Sequence, residues 1–280
     1  MRGSLLAAWA RALSTAGGRV GLLLLAVMAI VTLVAPPFLP DPAAIPDAIR
    51  GAIPPGEGHL LGTDSLNRDI LSRIVTGGRI SLGIAAFATL ISLTLGTMVG
   101  LVAGYTGGAV DAILMRIVDG AMAIPRLFIL LLLVLVWDRI PLPALVLVIG
   151  ATGWFGTSRL VRGEVLRLKQ QPFVTAAEAL GARPARVMLH HLLPNAAGPL
   201  IVTATLGVGD VILLEAGLSF LGLGIQPPTP SWGGMILDAR SILTIAPWAG
   251  LFPGLAILVT VLAANLLGDA LRAAIDPRTA

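Results

Sequence analysis

Few residues in this 280-residue sequence have the types and spacing that a catalytic site requires. His190 and His191 are adjacent instead of spaced as HExxH, and Ser219 lies in GLSFLG, which is not a GxSxG nucleophile turn. The single lysine, Lys169, lies in VLRLKQ, outside any GxxxxGK[ST] phosphate loop, and there is no cysteine. The sequence therefore predicts a protein that is not an enzyme, has no metal site or bound cofactor, and cannot hydrolyse ATP itself.

The composition explains the scarcity of polar groups. Hydrophobic residues make up 56% of the chain and charged residues only 12%, with a mean hydropathy of +0.92. Soluble domains have a charged fraction of roughly 25%. This composition predicts an integral membrane protein. We expect the protein to be all-α, because helices satisfy their own backbone hydrogen bonds in lipid.

Apolar runs mark six candidate transmembrane helices of about the ~20 residues that cross a bilayer. They cover Val20 to Leu39, Ile80 to Gly104, Ile113 to Trp137, Pro141 to Phe155, Pro199 to Leu221, and Ala246 to Leu267. The first run has a second interpretation, a signal peptide, since arginines precede it. Its length and the poor cleavage site at Ala35-Pro36-Pro37 favour an uncleaved helix.

Basic residues predict the orientation of these helices. The segment from Arg159 to Arg186 carries six basic and two acidic side chains. With six spans it falls on the same side as the basic residues near both ends of the chain, which are Arg2, Arg11, Arg19, Arg272 and Arg278. Because positively charged loops stay in the cytoplasm, both termini are expected to be cytoplasmic. The charge thus indicates a cytoplasmic loop and no nucleic-acid surface.

One polar segment, EALGARPARVMLHHLLPN, interrupts the apolar pattern from Glu178 to Asn195. Pro172 can begin a helix and Gly181 can end it, with Phe173, Ala176, Ala177 and Leu180 on one face. Pro184 then begins a second helix, which carries Arg183, Arg186 and His190 along one side and is expected to end before Pro194. Two functions remain open for the first helix: docking into a groove of another protein, or lying on anionic lipid.

Small and charged residues inside the spans give further expectations. Gly96, Gly100 and Gly104 form a stripe along which a neighbouring helix can approach closely. Arg116 and Asp119, three residues apart, are expected to pair on one helix face.

Asp210 lies mid-span, where a carboxylate costs about 2.5 to 3.5 kcal/mol, so it should face the bundle interior or an aqueous path. Glu215, about 140° further around the helix, is not expected to share its face.

Several long motifs resemble one family. The stretch FVTAAEALG from Phe173, with Pro194 in Leu193-Pro194-Asn195, is similar to the cytoplasmic coupling motif of ABC importer permeases. Three further stretches, LGTDSLNRDILSR, EAGLSFLGLGIQPPTPSWGGMI and PWAGLFPGLAILVTVLAANLLGDALRAAIDPR, resemble the second permease of the dipeptide, oligopeptide and nickel importer family. The resemblance covers residues 61–280.

The resemblance implies a type I ABC importer permease of the bacterial inner membrane, in three parts. These are residues 1–40 with the first helix, an external connection at residues 41–79, and a permease core at residues 80–280 with a coupling loop at about 159–195. The implied partners are a homologous permease, two ATPase subunits that use ATP, and an extracytoplasmic solute-binding protein, within membrane lipid.

The resemblance also assigns residues. ATPase coupling is implied for Phe173, Thr175, Ala176, Ala177, Glu178, Leu180, Gly181 and Pro194, and a translocation path is expected at Asp210 and Glu215. Thr175 departs from the family, which usually has a glutamate there; Glu178, one turn later, could replace it. A secondary, ion-coupled transporter is the alternative, but no repeat of inverted halves is visible. A peptide-like solute is favoured over free nickel, because no histidine lies in a predicted span.

Overall fold

The protein is helical throughout the part that the computed structural model describes, residues 2–45, 51–56, 58–137 and 139–275. Within these ranges the only strand-like pairing is an isolated bridge between Thr63 and Asp69. The helices are α1 Arg2–Ser14, α2 Ala16–Val34, α3 Ile70–Thr106, α4 Gly108–Met122, α5 Arg126–Val134, α6 Leu142–Ala151, α7 Trp154–Lys169, α8 Pro172–Ala179, α9 Pro184–Arg186, α10 Leu193–Asn195, α11 Ala197–Phe220, α12 Trp232–Ala239 and α13 Trp248–Ile275. A π-helical stretch, Val187–Leu192, joins α9 to α10, and Pro36–Phe38 forms a 3₁₀ turn.

Four helices, α2, α3, α11 and α13, are long and apolar enough to cross a membrane on their own. Two bent pairs, α4 with α5 and α6 with α7, each supply one more span if the pair crosses as a unit. The described residues therefore hold up to six spans, in agreement with the predicted number. The short helices α1 and α12 were not predicted.

The second span was predicted to begin at about Ile80, and the helix that contains it, α3, begins ten residues earlier, at Ile70. The Asp69 side chain caps the helix by accepting a hydrogen bond from the Ser72 N–H at 2.8 Å. The helix continues for 37 residues, about 55 Å at 1.5 Å per residue, before Gly107 ends it with a φ of +67°. Since α3 is longer than a bilayer core is thick, its two ends reach opposite sides of the membrane.

The third and fourth predicted spans are each broken. Helix α4 meets α5 at 82° and α6 meets α7 at 40°. Pro125, which has no N–H to donate, immediately precedes α5, and Thr152 and Gly153 separate α6 from α7. Both breaks lie inside predicted apolar runs, so the hydropathy pattern did not predict them.

The glycine stripe on α3 is confirmed as a packing surface for α7. A Cβ at Gly96 would lie 2.5 Å from Thr157 Cβ, one at Gly100 2.6 Å from the Ser158 carbonyl oxygen, and one at Gly104 2.8 Å from Val165 Cβ. The backbones of α3 and α7 can approach this closely only because the glycines have no side chain. The two helices therefore form one tightly fitted pair.

Four charged residues join the segment before α3 to α12, and we call them the Asp64 cluster. Arg68 Nε donates to Asp64 Oδ2 at 2.7 Å, and Arg68 Nη2 donates to Asp238 Oδ2 at 2.9 Å. Arg73 shares both acids, at 2.8 Å from Asp238 and 3.4 Å from Asp64. Both arginines are almost fully buried. The cluster fixes the N-terminal end of α3 against α12.

The two ends of the described chain lie together. Ala12 of α1 and Ala270, Leu271 and Ala274 of α13 form one buried cluster with Val202, near the start of α11. Helix α11 directly follows the segment from α8 to α10, so its start lies at the end of the bundle that holds α8. Helix α1 and the last turns of α13 pack there and therefore lie at the same end. Arg278, used to predict the orientation, lies outside the described residues, as do residues 46–50 and 57 of the predicted external connection.

Candidate functional site

Helix α8 has the beginning and end that the sequence predicts. Pro172 occupies its first turn, where a missing N–H costs nothing. At the other end Gly181 has a φ of +79°, its N–H donates to the Glu178 carbonyl at 2.9 Å, and the Ala182 N–H donates to the Ala177 carbonyl at 3.0 Å. This pair of bonds is a complete Schellman motif, which requires the left-handed conformation that glycine adopts without strain.

One face of α8 is exposed and apolar. Phe173 is 41% exposed and Leu180 is 89% exposed, with Ala176 exposed between them and Ala177 half-buried. Thr175 and Glu178 are also exposed. The predicted face is thus largely open to solvent. The sequence predicts the ATPase contact on this same face.

The opposite side of α8 is anchored by one residue. Val174 is fully buried in a cluster with Val165 and Leu168 of α7 and with Val187 and Leu192 of the π-helical stretch. Burying a valine contributes on the order of 1.5 kcal/mol or more. The cluster holds α8 between α7 and the following helices, so that the exposed face has a fixed position.

Polar contacts join the same unit to the C-terminal end of α3. The Tyr105 hydroxyl donates to Glu178 Oε1 at 3.1 Å, and Lys169 Nζ donates to the Tyr105 carbonyl at 2.7 Å. Lys169 also lies 5.1 Å from the centre of the Tyr105 ring. Glu178, the residue considered as a replacement for the family's glutamate, therefore has one oxygen engaged inside the chain.

The second helix of this segment was predicted to end before Pro194, and this is wrong. It begins at Pro184 as predicted but runs through the π-helical stretch into α10, which includes Pro194. A proline inside an α-helix clashes with the carbonyl four residues earlier, here that of His190. The wider π turn, in which the Leu193 N–H reaches the Met188 carbonyl, removes that conflict.

Two arginines of α7 pair with two aspartates of α4. Arg162 holds Asp111 in a bidentate pair at 2.5 and 2.6 Å, and Arg159 pairs with Asp119. The predicted pair between Arg116 and Asp119 is therefore wrong, because Asp119 reaches across to α7. Sequence spacing can identify neighbours on one helix but not a partner 40 positions away.

A cavity of about 220 Å³ lies where the two broken spans meet. Its lining includes Met122, Pro125 and Arg126 from the first break, and Thr152, Gly153 and Phe155 from the second. The Arg126 guanidinium donates through Nη2 to the Ile149 carbonyl at 2.6 Å, and its Nε lies 3.4 Å from Thr152 Oγ1. Arg126 thus bonds a carbonyl in the last turn of α6, which also accepts from the Thr152 hydroxyl at 3.1 Å. Arg126 was not among the predicted site residues, although the charge beside Pro125 inside an apolar run was a visible signal.

Asp210 and Glu215 have different surroundings, as their angular separation predicts. Asp210 is exposed on α11 and has neither a hydrogen bond nor an ion pair with the described residues. Glu215 is 1% exposed, accepts from Ser219 Oγ at 2.7 Å, and lies 3.4 Å from Ser81 Oγ. Direct contact between Glu215 and a solute would require α3, α11 and α12 to separate, so its place on the path remains a prediction.

A fold of up to six membrane spans, with a separate helix presented at one end of the bundle, defines a polytopic transport subunit. The chain belongs to the family described as the binding-protein-dependent transport system inner membrane component, whose model matches residues 96–280. It is a multi-pass inner-membrane protein, a permease subunit of an ABC importer, and not an enzyme. Membership in this family implies ATPase and binding-protein partners, and the ion-coupled alternative has no support.

Named relatives are similar along most of the chain. The oligopeptide transport system permease protein OppC of Bacillus subtilis is 39% identical over 259 residues, which cover 92% of this chain and 85% of that protein. The dipeptide transport system permease protein DppC of Alkalihalophilus pseudofirmus is 40% identical over 260 residues, with the same coverage of 92% and 85%. The glutathione transport system permease protein GsiD of Pectobacterium atrosepticum is 43% identical over 224 residues, covering 80% of this chain and 74% of that protein.

Proposed function

We propose that this chain imports peptides or related small solutes as one of two homologous permeases, and that α8 transmits the motion of an ATPase to it. The single observation that carries the coupling role is the exposed apolar face of α8, with Phe173 and Leu180 at its two ends. A separate solute-binding protein delivers the solute to the opposite side. Support for peptides comes from the names of the relatives, which are oligopeptide, dipeptide and glutathione permeases.

The shape of α8 suits a protein groove. Its outer face combines two large apolar side chains with small alanines between them, so a partner can approach the helix backbone closely. No basic residue lies on α8 itself, whereas a helix that binds anionic lipid has a polar face rich in lysine and arginine. Both features support docking into a protein groove over the alternative that α8 lies on anionic lipid.

The route from α8 to the membrane is short and stiff. Val174 fixes α8 to α7, and the glycine stripe fixes α7 to α3. A displacement of α8 is therefore transmitted directly to two spans. The coupling set Phe173, Thr175, Ala176, Ala177, Glu178, Leu180 and Gly181 occupies this one helix and its C-terminal turn, and Pro194 lies in the helix that returns to α11.

The proposed orientation places both termini and α8 in the cytoplasm. Helix α3 carries the Asp64 cluster at one end and the Tyr105 contact with α8 at the other, about 55 Å apart along the axis. The α1 and α13 ends pack beside the start of α11, on the α8 side. Residues 51–56 and 58–69 and helix α12 then face the outside.

The decisive experiment compares two arginine substitutions on α8. Ala177→Arg places a long charge on the proposed contact face, whereas Ala179→Arg puts the same charge on an exposed residue that is not a member of that face. In proteoliposomes, wild-type chain copurifies with its ATPase and supports ATP-dependent uptake of a dipeptide. Ala177→Arg is expected to lose both while remaining inserted in the membrane, and Ala179→Arg to retain most of both. Normal assembly and uptake with Ala177→Arg would show that the docking assignment is wrong.

A further inference from the structure

The cavity between the two broken spans contains the guanidinium of Arg126, a cation with unused donor capacity. An arginine has five N–H groups, and two of its nitrogens face the Ile149 carbonyl and Thr152 Oγ1. Gly153 makes room for it, since a Cβ at that position would lie 2.8 Å from Arg126 Nη2. The remaining N–H groups form a preformed site for a planar anion such as a carboxylate.

Asp210 provides the opposite charge. Gly207, three residues before Asp210 on α11, contacts α3 at Thr89. Less than one turn from Thr89 is Ser92, which contacts Gly153 beside Arg126. Among the described residues Asp210 has neither a hydrogen bond nor an ion pair, with Arg126 or with any other side chain. Asp210 is exposed, and a carboxylate within a span is costly unless it faces water, a polar partner or a path. A positive and a negative group thus lie near each other without neutralising each other by contact.

The position along α3 fixes the depth of both charges. Gly150 and Gly153, on either side of the break between α6 and α7, face α3 at residues 88–92, through Ile91 and Ser92. Gly207, less than one turn before Asp210, faces α3 at Thr89. These contacts lie at the middle of the 37-residue helix. Both charges are therefore near the middle of the membrane, where alternating-access transporters hold their solutes.

We propose that Arg126 and Asp210 form a two-charge binding site for a solute that carries both a carboxylate and an ammonium group, as a peptide with free termini does. Arg126 binds the carboxylate, with Thr152 beside it, and Asp210 binds the ammonium group. This assignment rests on the proposed import function and specifies its solute class. The competing possibility is that the two charges serve only each other, as a closed gate.

A labelling experiment tests the site without requiring transport. The chain has no cysteine, so Met122→Cys introduces a single thiol in the cavity lining. The assembled complex in nanodiscs is treated with a charged, membrane-impermeant thiol reagent in the presence of alanyl-alanine, its N-acetylated form or its C-terminal amide. Leu60→Cys, exposed in the segment before α3 and outside the membrane spans, is the control for general accessibility.

Alanyl-alanine is expected to slow labelling at Met122→Cys, and both blocked forms are expected to protect less. Asp210→Asn should raise the alanyl-alanine concentration for half protection about tenfold, the effect of losing one charged contact of 1.4 kcal/mol. Arg126→Lys should weaken protection while preserving the charge. Arg126→Gln removes the charge but could prevent assembly, because Arg126 also supports the end of α6. In that case Arg126→Lys still tests the contact with the carboxylate.

Three results would overturn the proposal: no labelling at Met122→Cys, equal protection by the blocked and free peptides, or no effect of Asp210→Asn. Different results would contradict the proposed import function. These are a lack of ATPase association, or a lack of ATP-dependent uptake, with the unmodified chain. The two failures are therefore distinguishable.

Discussion

The hydroxyl of Tyr105 donates to Oε1 of Glu178 at 3.1 Å, which joins the last turn of α3 directly to α8. The contact spans 73 positions of sequence and bypasses α4 to α7. It gives the proposed coupling helix a second attachment to a membrane span, in addition to the buried Val174.

Tyr105→Phe removes this attachment and little else. A hydrogen bond of this kind contributes about 0.5 to 1.5 kcal/mol, so assembly should be unchanged. Uptake per ATP hydrolysed should fall by less than about tenfold, because α8 is held less firmly to α3. Thr106→Val is the control, since the Thr106 hydroxyl bonds only to the Val102 carbonyl of its own helix. An unchanged transport-to-ATP ratio in proteoliposomes would remove Tyr105 from the coupling route.

Gly181→Ala tests the conformation that ends α8. Neither Gly181 nor Gly163 has any atom within 4 Å of an added Cβ, but only Gly181 has a positive φ, at +79°. The left-handed conformation costs alanine about 1 kcal/mol, whereas alanine inside α7 is favourable. Gly181→Ala should therefore weaken ATPase association in pull-down measurements, and Gly163→Ala should not. Equal effects of the two changes would indicate a cause other than backbone conformation.

Gly100→Ala tests the close fit of α3 and α7. The new Cβ would lie 2.6 Å from the Ser158 carbonyl oxygen, whereas a Cβ at Gly83 on the same helix meets nothing within 4 Å. Overpacking of this kind costs about 1 to 3 kcal/mol. The melting temperature of the purified complex in detergent should decrease for Gly100→Ala and stay the same or increase for Gly83→Ala. A stabilised Gly100→Ala variant would contradict the observed packing.

Asp238→Ala tests the Asp64 cluster. The change leaves the buried guanidiniums of Arg68 and Arg73 to share Asp64 alone. Removing one partner of a buried ion pair costs about 3 to 5 kcal/mol, and we expect the lower end because Asp238 is 27% exposed. Thermal melting should show a large loss of stability, with Asp41→Ala, an exposed loop residue, as the control. Adding Arg73→Gln should recover part of the loss, because it removes one of the uncompensated charges.

Local signals in the sequence were sufficient to predict where α8 begins and ends. Proline at the first turn and glycine after the last act within a few residues, so Pro172 and Gly181 predicted both ends of the helix without tertiary information. The glycine stripe could also be predicted, because residues that repeat every four positions lie on one side of a helix. The start of α3 was missed because Arg73, Arg79 and a pair of glycines interrupt its first turns, so that the continuous apolar run begins only at Ile80.

Features that depend on distant partners could not be predicted. The breaks at Pro125 and Gly153 lie inside apolar runs, and hydropathy is insensitive to a change in helix direction. Asp119 was assigned to Arg116, its neighbour on α4, but a longer reach to Arg159 on the adjacent α7 was available. The cavity at Arg126 exists only because the two breaks meet. Their meeting depends on how the bent pairs pack, including the contact of the α6–α7 break with α3.

The glycine stripe also determines which substitutions could compensate for one another during evolution. At Gly104 the two closest neighbours are side-chain atoms of Val165, and the Arg162 carbonyl oxygen lies further away, at 3.1 Å, so an alanine there fits after a small shift if Val165 becomes glycine. At Gly100 the neighbours include the Ser158 carbonyl oxygen and the Arg162 amide nitrogen. No exchange of side chains removes backbone atoms, so Gly100 has no second-site suppressor on α7, whereas Gly104 has one.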